Sequence, residues 1–146
     1  MDVSGAWRIG EAPTAGGGEA VSSPGWKWRR AGLDVREVLA LACEMGSVKL
    51  PAVTIYRKSR GYSGRSWGGR VHFSLPLDVD TATVRMLVAH EVAHEGLPLH
   101  VKHGPDWRSF YVWLVETTWG VKVQAEGGSY FDLDRRVAAA LKVEGL

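Results

Sequence analysis

Cysteine is almost absent from this chain: Cys43 is the only one among 146 residues. An internal disulfide is therefore excluded, and so is a zinc ribbon, which needs paired Cys-x-x-Cys motifs. Cys43 lies in the apolar run LALACEMG, which predicts a small core residue rather than a reactive thiol. We therefore expect a reducing, cytoplasmic compartment.

Long hydrophobic runs are absent as well. No stretch approaches the roughly 20 apolar residues of a membrane span, and no charged segment leads into an apolar one as in a secretory signal. The sequence thus predicts neither a membrane partner nor secretion. Its 45% hydrophobic and 23% charged residues are typical of one globular domain.

Excess charge of either sign is also small, with a net charge of +2. Two segments nevertheless concentrate basic residues among aromatic ones: GWKWRR, which holds Lys27, Arg29 and Arg30, and YRKSRGYSGRSWGGR at residues 56–70. Such segments can hold phosphates while bases stack on the rings, so DNA is a candidate partner. The alternative is a pair of solvated loops, and the sequence slightly favours it because short basic runs are common on surfaces.

The order of the predicted elements indicates an α+β fold. Residues 1–25 are rich in Gly, Ala, Ser and Pro and predict a flexible arm, which leaves residues 26–146 as the folded domain. Capping residues, apolar periodicity and turn residues predict the following order: a helix capped by Asp34 and stopped by Gly46, a strand PAVTIYRK, a loop SRGYSGRSWGG, a strand RVHFSL, a helix capped by Asp80 or Thr81 and stopped by Gly96, a helix from Pro105 to Gly120, a short strand VKVQAE and a last helix DLDRRVAAALKVEG.

Histidine is concentrated in one place, since four of the five histidines fall within residues 90–107. His90, Glu91 and His94 form an H-E-x-x-H motif in the second helix. Residues four apart lie one turn apart on the same face, so both imidazoles can reach one metal ion, and the glutamate beside them can take a proton from water. Two surface histidines on an amphipathic helix are the plain alternative, but the capped helix and the following histidines favour a metal site.

A catalytic zinc site usually has three protein ligands, and two histidines follow the motif closely. His100 comes six residues after His94, and His103 comes nine residues after it. Either side chain can supply the third ligand.

The motif HEVAH at residues 90–94, followed by HGPDW at residues 103–107, resembles the SprT-like zinc metallopeptidases, the group that includes the Spartan proteases. The resemblance covers roughly residues 34–120. It implies a minimal zincin-like fold, in which a small sheet packs on helices, and peptide-bond hydrolysis. Some members act on proteins crosslinked to DNA, whereas this chain lacks the cysteine-rich ribbon of many bacterial relatives.

The resemblance also implies roles for single residues. His90, His94 and His103 correspond to the ligands of one Zn2+ per chain, Glu91 to the catalytic base, and Trp107 to an aromatic packing residue. The sequence supports His103 independently, because Gly104 and Pro105 begin a helix directly after it and fix its backbone. His100 lies in mid-loop, where we expect it to face solvent.

Substrate contacts follow from the strand before the motif helix. If RVHFSL is an edge strand beside the cleft, it can pair with an extended protein or peptide substrate, which makes His72 and Ser74 candidate substrate-binding residues. Tyr111 is a third candidate, and the oxyanion donor is one of Tyr111, His100, Tyr130 or a nearby arginine.

Three functions remain open from the sequence. The first is a zinc endopeptidase, with DNA-associated proteins as candidate substrates. The second is a regulatory peptidase that cuts a dedicated partner such as a repressor. The third is a non-catalytic module that uses zinc as a structural staple for binding DNA or protein, a function that would leave Glu91 without a role.

Overall fold

The computed structural model describes residues 33–146 and the short strand Glu19–Ala20. The rest of the predicted arm and the basic residues Lys27, Arg29 and Arg30 lie outside the described residues. The elements are β1 (Glu19–Ala20), α1 (Val35–Gly46), β2 (Ala52–Arg57), β3 (Ser63–Trp67), β4 (Arg70–Leu75), α2 (Thr81–Glu95), a 3-10 turn (Leu99–Val101), α3 (Pro105–Trp119) and α4 (Tyr130–Val143). Four helices and a small mixed sheet confirm the α+β prediction.

The sheet has the strand order β1-β2-β4-β3, with β2 parallel to β4 and the other pairs antiparallel. Alternate side chains of β2 and β4 point towards the helices and are buried, and they include Val53, Ile55, Val71 and Phe73. A two-glycine turn at Gly68 and Gly69, both at positive φ, joins β3 to β4. One face of the sheet therefore closes the core, and β3 lies at an edge.

Helix α2 is the centre of the domain. It contacts α1, α3, α4 and β3, and residues 86–93 are buried without interruption. The Asp80 carboxylate accepts a hydrogen bond from the Thr83 backbone N–H, which satisfies an N-terminal amide and fixes where the helix begins. A helix surrounded on this many sides holds its side chains rigidly, which suits it to carry a site.

The other predicted helices are confirmed with small changes. Asp34 caps α1, and the left-handed residue after that helix is Ser47 rather than a glycine. Helix α3 runs from Pro105 to Trp119 and ends at the left-handed Gly120. Helix α4 begins two residues earlier than predicted, because Ser129 and Asp132 form a reciprocal capping box.

Two predicted segments are wrong. The loop SRGYSGRSWGG contains β3, which pairs with β4 along five residues, and so β4 (RVHFSL) is a central strand rather than an edge strand. The predicted strand VKVQAE forms no strand in the described part of the chain. Instead, the Glu116 carboxylate accepts a hydrogen bond from the Val123 backbone N–H and holds this segment against α3.

Cys43 is buried in the core, as predicted, and burial raises the pKa of its thiol to about 12. The thiol is therefore protonated at neutral pH and unsuited to nucleophilic chemistry. None of the helices in the described residues is both long and apolar enough to span a membrane.

Candidate metal centre

His90, Glu91 and His94 lie in the last two turns of α2. His90 and Glu91 are buried and His94 is half-buried. The imidazole rings of His90 and His94 have centroids 5.0 Å apart, as expected for residues one helical turn apart on one face.

The chain after α2 turns back and delivers His103 to the same place. A Cβ at Gly96 would lie 2.7 Å from the Phe110 ring, so only glycine fits where the chain leaves α2. The 3-10 turn follows, Lys102 has a positive φ of 51°, and Pro105 begins α3 two residues after His103. His103 is thus fixed between a turn and a helix start.

The three imidazoles meet at their Nε2 atoms. Nε2 of His103 lies 3.1 Å from Nε2 of His90 and 3.0 Å from Nε2 of His94. One nitrogen from each residue lies within 4.8 Å of the other two, and these three residues form a group that could hold a metal ion. His100 is exposed in the 3-10 turn and is not part of the group.

The donor set fits a metal ion. Two imidazole nitrogens bound tetrahedrally at 2.0–2.1 Å would be roughly 3.3 Å apart, close to the distances from His103 to its two neighbours. Burial, reinforced by His90 and His103, lowers the pKa of His94 to about 4, and burial, reinforced by His90, lowers the pKa of His103. Both rings are therefore neutral at pH 7 and present the lone pair that a metal needs.

Asp134 on α4 orients the first imidazole, and the sequence did not reveal this residue. Its Oδ1 accepts hydrogen bonds from Nδ1 of His90, at 2.9 Å, and from the Tyr111 hydroxyl, at 2.8 Å. The bond to Nδ1 places the His90 proton there and directs the Nε2 lone pair towards the other histidines. A carboxylate behind a ligating histidine is a common feature of metal sites, so a search for acids on the inner face of α4 could have found it.

Aromatic rings enclose the histidine cluster. Trp107 is buried beside all three imidazoles and donates its indole N–H to the His90 carbonyl at 3.3 Å, which confirms its predicted packing role. The Tyr130 ring stacks on His103 with centroids 3.7 Å apart and planes 3° apart. These contacts leave His103 little rotational freedom.

The Glu91 carboxylate lies beside the histidines without joining their group. Its Oε2 is 4.0 Å from Nε2 of His90. Burial raises the pKa of Glu91 to about 7, opposed by His90 and by a hydrogen bond with Ser66 and reinforced by the charges of Asp134 and Glu95. A carboxyl group with this pKa can both accept and release a proton near neutral pH.

Strand β3 packs on the Glu91 carboxylate. A Cβ at Gly64 would lie 2.7 Å from Oε2 of Glu91, so the absence of a side chain at this position makes room for the carboxylate. At the end of β3, Oε1 of Glu95 accepts a hydrogen bond from the Gly69 backbone N–H at 2.9 Å and ties the β3–β4 turn to α2. The Ser66 side chain lies near both glutamates and partly offsets the rise in the pKa of each.

A cleft of about 750 Å³ opens over the histidines and Glu91. Residues 62–66, at and before β3, line one side. The other side consists of the chain around the 3-10 turn and the first turns of α4, and it includes Leu99, Lys102, Phe131 and Arg135. The cleft thus runs between an edge strand and a mixed helical wall.

The predicted substrate-binding residues do not line this cleft. His72 and Ser74 lie on central β4, whose two neighbours already pair with it, and the His72 ring packs against Tyr56 and Trp67 on the outer face of the sheet. Tyr111 is fully buried, and its hydroxyl donates to Asp134, so it is not available to substrate. The expectation that RVHFSL borders the cleft is therefore corrected: β3, which the sequence did not predict, holds that position.

The basic segment at residues 56–70 is only partly a loop. Arg65 on β3 places its guanidinium 5.4 Å from the centre of the Trp67 ring, a cation–π contact. DNA binding by this segment, or by Lys27, Arg29 and Arg30, stays a prediction. Comparison with protein-family models, with curated proteins and with solved structures finds no match for this chain.

Proposed function

We propose that this chain is a zinc-dependent endopeptidase of the SprT-like kind, in which His90, His94 and His103 hold one Zn2+ and Glu91 is the general base. One observation carries the proposal: three imidazole nitrogens converge within 4.8 Å beside a buried carboxylate. Zinc is the metal that this set of neutral nitrogen ligands suits best among those common in hydrolases.

The residues around the cleft divide the reaction between them. His90, His94 and His103 would hold the zinc ion, which would supply Lewis acidity for a peptide carbonyl and for the attacking water. Glu91 takes the proton of the attacking water and passes it to the leaving amine nitrogen, and its Oε2 lies 4.0 Å from Nε2 of His90, beside the three ligands. Asp134 keeps the proton of His90 on Nδ1 throughout.

Strand β3 is the element that we propose to hold the substrate backbone. It is an edge strand, it lines the cleft, and its Gly64 lies directly against Glu91. An extended peptide that added to this edge would pass its carbonyl groups over Glu91 and the histidines.

The geometry favours an enzyme over a structural zinc module. A structural site is closed by a fourth protein ligand, whereas the group within the described residues has three members and His100 is exposed outside it. A structural site also has no use for a buried carboxylate 4.0 Å from a ligand nitrogen. A regulatory peptidase with a dedicated partner would use the same residues and would differ only in its substrate.

The test compares wild type with Glu91→Gln in zinc content and in proteolysis of a DNA-binding protein, with and without single-stranded DNA. We expect about one zinc per chain in both proteins and cleavage by wild type alone, with a loss of roughly 10²- to 10⁴-fold in the variant. Glu44→Gln, an exposed change on α1, is the matched control and should cleave normally. The proposal would be refuted if Glu91→Gln cleaved the substrate as fast as wild type, or if purified wild type contained no metal.

A further inference from the structure

Three of the large apolar side chains that the fold leaves exposed lie around the same cleft. Tyr62, Leu99 and Phe131 keep 46%, 68% and 57% of their surface accessible to solvent, and all three line the cleft. Single exposed apolar side chains are ordinary on a protein surface. A group of them around one concave site indicates a surface that binds an apolar ligand.

Phe131 extends an aromatic stack that begins at the metal centre. The His103 and Tyr130 rings are stacked at 3.7 Å, and the Tyr130 and Phe131 rings follow at 4.1 Å, with planes 29° apart. Phe131 is therefore held in place on its inner side while its outer side faces the cleft. A rigid aromatic surface loses little side-chain freedom when a ligand binds.

Leu99 lines the same side of the cleft as Phe131 but precedes His103 in the sequence. It lies in the 3-10 turn that Pro98 begins, and backbone hydrogen bonds from Val101 to Pro98 and from Gly104 to Val101 hold the turn. This turn also delivers His103. The two apolar side chains thus flank His103, one before it along the chain and one through the ring stacked on it.

The charges on this wall are positive. Lys102 and Arg135 are exposed at the cleft, and Arg135 also pairs with Asp132. The carboxylates that line the cleft lie inside it: Glu91 is buried, and Asp134 already accepts two hydrogen bonds. A basic substrate residue would therefore meet like charge at the wall, and an acidic residue would meet opposite charge.

We propose that Leu99 and Phe131 form a subsite for a bulky apolar side chain directly beside the scissile bond, with acidic rather than basic residues next to it. The inference rests on the proposed peptidase function and names the class of peptide that the enzyme selects. The occupant is an extended peptide whose backbone follows β3 and whose side chain crosses the cleft to the opposite wall.

The test uses the zinc-loaded protein and quenched fluorescent peptides that differ at one position, occupied by Leu, Phe, Ala or Lys. Mass spectrometry identifies the bond that is cut. We expect kcat/KM for the Leu and Phe peptides to exceed that for the Ala peptide by about tenfold or more, with the Lys peptide lowest. Leu99→Ala and Phe131→Ala should each reduce this ratio. Val143→Ala removes an apolar side chain that is 82% exposed on α4 but does not line the cleft, and should leave the ratio unchanged.

A binding measurement separates the subsite from the chemistry. The same peptides are titrated into zinc-loaded Glu91→Gln, and their Kd values should rank as the kcat/KM values do. Equal affinity for the Leu and Ala peptides, or a preference that survives the double change Leu99→Ala and Phe131→Ala, would overturn the subsite. Should no peptide be cut while the affinities rank as expected, the subsite stands and the proposed peptidase function fails.

Discussion

The substitution Gly64→Ala tests whether β3 positions Glu91, the proposed general base. Replacing the glycine by alanine adds one carbon atom 2.7 Å from Oε2 of Glu91, with Cγ and Cδ of the same side chain at 3.2 and 3.3 Å. Ordinary van der Waals contacts begin at 3.4 Å, so the carboxylate oxygen has to move by about 0.7 Å. The φ angle of Gly64 is not positive, so alanine fits its backbone conformation.

The expected effect falls on the chemical step. A misplacement of about 1 Å in a catalytic group can cost roughly 100-fold in rate, so we expect kcat to fall by about 10- to 100-fold, or about 1.4 to 2.7 kcal/mol of activation free energy. Zinc binding should persist, because the three atoms nearest to the new methyl group all belong to Glu91 rather than to a histidine. Stability should hold or rise, since alanine is favoured over glycine inside a strand by roughly 0.5 to 1 kcal/mol.

The assay is steady-state cleavage of one peptide, combined with metal analysis and thermal unfolding. Ser74→Ala is the matched control, because Ser74 lies in the neighbouring strand β4 and does not line the cleft. An unchanged kcat in the Gly64→Ala variant would show that the carboxylate does not need its present position. Loss of zinc or a large drop in melting temperature would instead show that the substitution disrupts the fold rather than the position of Glu91 alone.

Three further predictions concern the metal centre. His103→Ala should lose most of its zinc affinity and all activity, whereas His100→Ala should keep both; zinc titration decides, and the opposite result would exclude His103 as a ligand. Asp134→Asn should weaken zinc binding about 10- to 100-fold, because a neutral amide oxygen is a weaker acceptor for the Nδ1 proton of His90 than a carboxylate, and an unchanged affinity would contradict that role. In the metal-free protein, Glu91 has a pKa of about 7, against 4.5 when unperturbed. Because the carboxyl group ionises more readily in the unfolded chain, the free energy of unfolding falls as the pH rises from 4.5 to 7. Urea unfolding should therefore find metal-free Glu91→Gln more stable than metal-free wild type by about 3 kcal/mol near pH 8, with the difference disappearing below roughly pH 4.5; a difference independent of pH would refute the assignment.

Local signals predicted the helices well. Asp34 and Asp80 cap them, Pro105 starts one and Gly120 ends it, and each of these residues acts on backbone groups within four positions of itself. The H-E-x-x-H spacing is also a local signal, because residues four apart lie one helical turn apart. The structure groups His103, and not His100, with the two histidines of the motif, and the start of α3 comes directly after His103.

Features that depend on distant contacts were not predictable. Strand β3 has the sequence SGRSW, whose glycine and serines indicate a turn, yet it pairs along β4 and packs against Glu91. Asp134 is separated from His90 by 44 residues, and no residue near the H-E-x-x-H motif points to it. In both cases a contact between distant parts of the chain explains the residue: Glu91 needs the space at Gly64, and His90 needs the carboxylate of Asp134.

The dependence of His90 on α4 has a consequence for the order in which a ribosome makes this protein. The H-E-x-x-H helix is synthesised before Asp134, and the 44 residues between them take roughly 2 to 9 s to add at 5–20 residues per second. Until Asp134 is added, Nδ1 of His90 and the Tyr111 hydroxyl lack the carboxylate that they share in the folded protein. The nascent chain therefore carries its three imidazoles before it carries the group that orients the first of them, and the complete site forms only when α4 folds back onto α2.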